Sequence, residues 1–172
     1  MLNRNMNITE DLHYAAPLED VLALFRSEEL VFRRLQEVGH SDYEFEADTV
    51  DGKHRTTVSL AINSAQLPDQ AATFLGKHIT AQIIGVENVG DVGAHIDYTI
   101  NTKLPMSFKA RMLLVSSGAT TAGKLEIHMD VNIPFAGSMI ERSVASKIPR
   151  VIRQDTELVN TLLVERRAKE SE

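Results

Sequence analysis

The six histidines, His13, His40, His54, His78, His95 and His128, are the first places to look for chemistry. No two of them are four residues apart, so none forms the helical pair that binds zinc. His95 with Asp97, and His128 with Asp130, are spaced to share the polar face of a strand, as are Lys109 and Arg111 between them. Opposite charges alternating across neighbouring strands predict a solvated ladder on the wet face of a sheet, where nothing encloses a substrate or metal. The serines of "SSG" at Ser116–Gly118 lack a nucleophile-elbow context and read as part of a loop beside a hairpin. The glycines of "GVENVGDVG" precede no helix and fit a turn between strands better than a phosphate loop. The chain has no cysteine, which removes disulfides, thiolate metal sites and thiol nucleophiles. Nothing in the pattern calls for a metal or a cofactor.

A second set of polar residues falls on apolar faces. Glu10, Tyr14, Tyr43, Tyr98 and Asp155 each sit in phase with aliphatic neighbours. For the tyrosines this phase fits core residues whose hydroxyls find a partner or reach a rim. Glu10 fits a sheet edge. Asp155 lies on the stripe of Ile148, Val151, Val159 and Leu162, and a buried, unpaired carboxylate there would be costly. Three outcomes stay open for it: a partner, a wet cavity, or rotation to the helix edge by a bend at Pro149.

The elements that would position these residues follow from hydrophobic period and punctuation. "NMNITEDLHYAA" alternates and predicts a first strand. "APLEDVLALF", with Pro17 in its first position and acidic residues in its first turn, predicts a short helix. "SEELVFRRLQEVG" predicts another, capped by Ser27 and ended by Gly39. "SDYEFEADTV" and "HRTTVSLAI" flank the hairpin signal Asp51-Gly52. "LPDQAATFLG" reads as a connection with one helical turn at most. "HITAQIIGVEN" is a strand of unassigned inward face. "GAHIDYTINT", "MSFKARMLLV" and "KLEIHMDVNI" each alternate cleanly, placing Ile96 and Tyr98, Met112, and Met129 inward. The chain then reads as one helix from Ser138 to about Arg166, with Ser138 and Glu141 spaced as a capping box. "RRAKESE" reads as a fraying tail, with the domain at 1–167 and the tail at 168–172.

At 172 residues, with 43% hydrophobic and 24% charged residues, the composition is that of one globular domain. A net charge of −6 argues against nucleic acid or an anionic membrane as the main partner. No segment has the length and apolarity of a membrane span, and the first residues lack a signal-peptide core, so a cytoplasmic protein is expected, as a monomer or homodimer.

The entry "YAAPLEDVLALF", the succession of antiparallel strands and the long final helix introduced by "GSMIE" resemble the START-like, helix-grip superfamily. More narrowly, nearly the whole chain resembles an uncharacterised bacterial family within it, domain of unknown function 2505. The resemblance implies an α+β fold in which about seven curved antiparallel strands wrap the C-terminal helix and leave a cavity between them. It carries no catalytic motif. Such a cavity, with Tyr14, Tyr43, Ile96, Tyr98, Met112, Met129, Ile148, Ile152 and Asp155 along it, would take a hydrophobic small molecule such as a lipid, polyketide or isoprenoid. A polyketide cyclase or dehydratase is the enzymatic alternative, with Glu10, Asp155 and the tyrosines as its only candidate acids and bases. A ligand-free dimerising or partner-binding module is the third reading, favoured if Leu30 and Phe32 form an exposed patch.

Overall fold

The computed structural model describes residues 6–63, 69, 78–135 and 137–172. The described strands are β1 (Met6–Tyr14), β2 (Tyr43–Val50), β3 (Lys53–Asn63), β4 (His78–Val89), β5 (Gly93–Thr102), β6 (Met106–Ser117) and β7 (Thr120–Val131). They form one antiparallel curved sheet in the order β1-β7-β6-β5-β4-β3-β2. Between β1 and β2 lie α1 (Leu18–Phe25) and α2 (Glu28–Glu37), and α3 (Gly137–Glu170) follows β7. The connection expected over "LPDQAATFLG" falls, apart from Asp69, outside the described residues.

Local chemistry explains most boundaries. Pro17 stands just before α1, extended at φ −59° and ψ 153°, and its carbonyl accepts from Asp20 and Val21. The Ser27 hydroxyl accepts from Leu30 at the start of α2, and Gly39, at φ +71°, lets the chain leave it. Asp51 and Gly52 both take positive φ, 53° and 77°, as the two-residue β2–β3 hairpin demands. The capping box expected at Ser138 and Glu141 does not form. The helix begins one residue earlier, at Gly137, and the Glu141 carboxylate instead accepts from the Val131 amide at 2.9 Å. It thereby ties the end of β7 to the first turn of α3. A Cβ on Gly137 would collide with the Val131 carbonyl, so this tight return requires glycine.

Two apolar clusters fill the concave side. The larger joins β1, β5 and β6 to α1, α2 and the last half of α3, through Tyr14, Leu24, Leu30, Leu114, Val159 and Leu162. The smaller joins Met129, Val131 and Ile133 to Phe108, Ile140 and Val144 at the start of α3. The convex face carries the expected ladder. Asp97, Arg111 and Glu126 stand side by side on β5, β6 and β7, and Arg111 grips Asp97 through Nε at 2.7 Å. His95 lies 3.7 Å from the same carboxylate. The inward face of β4 is Ile79, Ala81, Ile83, Gly85 and Glu87. Its period is obscured in the sequence because a carboxylate occupies the inward phase; Glu87 is 5% exposed and paired with Arg26 at the end of α1.

Candidate functional site

Helix α2 presents Leu30, Val31, Arg34 and Leu35 toward the sheet, one helical turn apart in pairs. Opposite them lie Thr56, Val58 and Leu60 of β3, Ile83 and Gly85 of β4, and Tyr98 of β5, with Phe25 of α1 closing the side. These residues enclose a pocket of about 160 Å³. An apolar cavity of roughly 150 Å³ admits a benzene-sized molecule, so this space suits one ring or a short aliphatic segment. Two larger depressions, of about 580 and 630 Å³, are shallow dishes open to solvent. One lies over β2–β5 and the other on the charged outer face, and neither encloses a ligand.

The floor of the pocket depends on a glycine. Gly85 pairs directly with Tyr98, and a Cβ there would stand 2.9 Å from the Tyr98 ring and 3.1 Å from the Thr56 hydroxyl. The missing side chain is therefore what allows the tyrosine ring to lie across β4.

The polar end of the pocket is built on Arg34. Its Nε and Nη2 donate to the two carboxylate oxygens of Asp155, each at 2.7 Å, and its Cζ stands 5.2 Å from the centroid of Phe25. Phe25 in turn meets Tyr14 edge-on at 5.8 Å. Burial disfavours the Arg34 charge, yet Asp155 and the two nearby tyrosines outweigh this and raise its pKa. Burial also raises both tyrosines. Tyr98 is pushed up to about 12, with Asp155 and Glu87 adding to the effect and Arg34 opposing it. Tyr14 is held higher still, first by burial and then by Asp155. Both hydroxyls are therefore protonated donors at neutral pH.

Two further ion pairs join the same helices, Arg33 to Glu165 at 3.2 Å and Glu29 to Arg166 at 3.0 Å. Asp155 thus has a partner, supplied by the facing helix.

The other residues expected along the cavity are spread over the concave side. Tyr98 lines the pocket, and Tyr14 and Asp155 surround its charged end. Ile96, Met112 and Ile152 belong to the larger apolar cluster and Met129 to the smaller. Ile148 is half-buried on α3. Tyr43 stands toward the β2 edge, where its hydroxyl donates to Glu28 at 3.1 Å and its ring lines the shallow β2–β5 dish. Glu10 is half-buried on the edge strand β1. Leu30 is only 1% exposed whereas Phe32 is 50% exposed, so the two do not form one exposed patch. Arg34 was not foreseen. The available signal was an arginine four residues after Leu30 on an apolar stripe, which matches the misplaced Asp155 on α3.

A curved antiparallel sheet gripping a long C-terminal helix, with two short helices after β1 and a small apolar pocket beneath them, is the START-like, helix-grip class of fold. Within that class, residues 9–163 match the family described as "Protein of unknown function (DUF2505)", and the chain belongs to it. No curated protein matches the chain. Among solved structures, a protein from Thermus thermophilus superposes with a TM-score of 0.58 at 15% identity, over 91% of this chain and 98% of that one. The Zhui aromatase/cyclase from a Streptomyces species gives 0.61 at 11% identity, over 95% and 96%. A START superfamily protein from Mycobacterium smegmatis gives 0.54 at 13% identity, over 91% and 98%. Likeness at this level of identity concerns the fold. Among the described residues no helix is long and apolar enough to cross a membrane, and no cluster of three or more His, Asp or Glu could hold a metal ion.

Proposed function

We propose that the chain binds a hydrophobic small molecule, of lipid, polyketide or isoprenoid type, on the concave side of the sheet. The carrying observation is the pocket under α2, lined mainly by aliphatic and aromatic side chains with Arg34, Thr56 and the Tyr98 hydroxyl as its polar groups. The pocket accommodates one ring or part of a chain. A longer ligand would have to displace packing beneath the middle of α3, where Ile152 lies against the larger cluster and Met129 is buried in the smaller. The START-like fold of the Mycobacterium smegmatis neighbour, and the aromatase/cyclase named for the Streptomyces one, are consistent with such a ligand class.

Binding is preferred to cyclase or dehydratase chemistry for a specific reason. No carboxylate lines the pocket, both oxygens of Asp155 are engaged by the lining residue Arg34, and Tyr98, the candidate that does line it, is held protonated by burial. A general base would have to be released from that pair first.

Val31→Trp tests the reading, because it fills the pocket from a half-buried helix position. In ligand-observed NMR the unaltered protein should bind toluene, and the variant should not, while its unfolding temperature stays within a few degrees. Equal binding by both proteins, or none by either, would remove the pocket as the site. Native mass spectrometry of protein purified from its own source should also show a co-purified hydrophobic ligand.

A further inference from the structure

The pocket has a polar reader as well as apolar walls. Arg34 spends Nε and Nη2 on Asp155, and its Nη1 makes no hydrogen bond among the described residues. The Tyr98 hydroxyl likewise makes none, although Tyr98 and Arg34 both line the pocket. No described side-chain nitrogen or oxygen is both fully buried and unsatisfied. The two groups therefore keep their donors accessible, in a space whose other lining residues are aliphatic or aromatic apart from Gly85 and Thr56. The guanidinium offers donors only, and the phenol offers one donor beside its own lone pairs.

The charge balance decides which acceptor fits. Arg34 is neutralised by a bidentate carboxylate, so the Arg34–Asp155 pair as a whole is close to neutral. A ligand carboxylate placed against Nη1 would gain the arginine but meet Asp155 across it, and like charges at such separations repel. An uncharged oxygen meets no such repulsion, and burying it against two waiting donors satisfies all three groups. The geometry points to a hydrophobic ligand bearing an uncharged acceptor oxygen, a ketone, aldehyde or ester carbonyl, held by the Arg34 Nη1 edge and the Tyr98 hydroxyl. This rests on the pocket proposed above and names the class of ligand it selects.

Three probes of similar size separate the claims: acetophenone, ethylbenzene and benzoate, titrated by ligand-observed NMR against the protein and against Tyr98→Phe. Loss of one neutral hydrogen bond, about 1 kcal/mol, corresponds to about a fivefold change in affinity. Acetophenone should lose about fivefold on Tyr98→Phe, ethylbenzene less than twofold, and benzoate should bind the parent protein more weakly than acetophenone. Retained ethylbenzene binding by Tyr98→Phe serves as the check that its pocket is intact. An equal effect of the substitution on acetophenone and ethylbenzene would overturn the carbonyl reader while leaving the apolar pocket standing. Tighter binding of benzoate than of acetophenone would overturn it in favour of an anion receptor. Absence of binding by all three would overturn the reader together with the pocket it rests on.

Discussion

Replacing Asp155 by asparagine is the perturbation from which most can be learned. The substitution keeps the shape of the side chain and one acceptor oxygen, but removes the charge that holds Arg34. The pair has two contacts of 2.7 Å, and its side chains are 32% and 28% exposed, so it is neither an exposed ion pair nor a fully buried one. Exposed pairs contribute about 0–1 kcal/mol, and breaking a buried pair costs about 3–5 kcal/mol. Partial exposure places this pair between them, and we expect a loss of about 2 kcal/mol. For a chain of this length each kcal/mol moves the unfolding temperature by about 2–4 °C, so Asp155→Asn should unfold about 4–8 °C earlier. Urea unfolding gives the free energy directly. A double-mutant cycle with Arg34→Met should return a coupling of about 1.5 kcal/mol, because the single losses share one interaction. The nearby Glu165→Gln removes one longer contact of 3.2 Å between half-exposed groups and should cost less than about 0.5 kcal/mol. If Asp155→Asn also costs less than about 0.5 kcal/mol, the pair does not staple α2 to α3 and the account of the pocket's polar end fails.

Other consequences are as open to measurement. Gly85→Ala should cost about 1–3 kcal/mol by pushing the Tyr98 ring off β4, seen in thermal unfolding and as weakened probe binding. His95→Gln and His128→Gln on the outer face should each change stability by less than about 0.5 kcal/mol; a loss above about 2 kcal/mol would mean that the ladder is structural. Phenolate absorbance, with no tryptophan to interfere, should show Tyr14 and Tyr98 titrating above the ordinary tyrosine range because both are buried. The folded state then holds protons that the unfolded state has released, so stability should be complete below pH 10 and fall between pH 10 and about 12. All three tyrosines titrating together near pH 10 in the folded protein would contradict this.

The sheet was readable because five of its strands carry a clean two-residue alternation, and because Asp51-Gly52 and Gly39 supply the backbone conformations that their turns require. The inward face of β4 was not readable, because Glu87 occupies the inward phase and its partner Arg26 is 61 residues away in sequence. The same physics hid the candidate site. Asp155 alone was an anomaly with three solutions, and Arg34 alone was one more arginine on a short helix. Each is explained by the other across 121 residues, a distance over which neither period nor spacing carries a signal. The general reading is that two opposite charges standing on two apolar stripes are candidates for one another, and that the space between them is where a pocket can open. Glu141 taught the converse. Its spacing from Ser138 fits a capping box, but Gly137 had already started the helix, and the carboxylate turned instead to an amide at the end of β7.

Pro149 and Asp155 divide α3 into spans that are held differently. Its first turn is fixed by Gly137 and Glu141, and its last half by Val159, Leu162, Leu163 and the three ion pairs to α2. Between Glu141 and Val159 no residue of the helix is fully buried, and Pro149 lies in that span on the exposed side. Proline cannot donate to the carbonyl four residues back, so the backbone is weakest where side-chain packing is also lightest. The helix nevertheless continues through it to Glu170, about 51 Å in all at 1.5 Å per residue. A rod held at both ends and loosened in the middle can give way over the sheet without losing its anchors. Under the proposed function, that middle span is where a ligand longer than the pocket would be accommodated. Asp155 stands at its boundary, on the side where the firm packing begins.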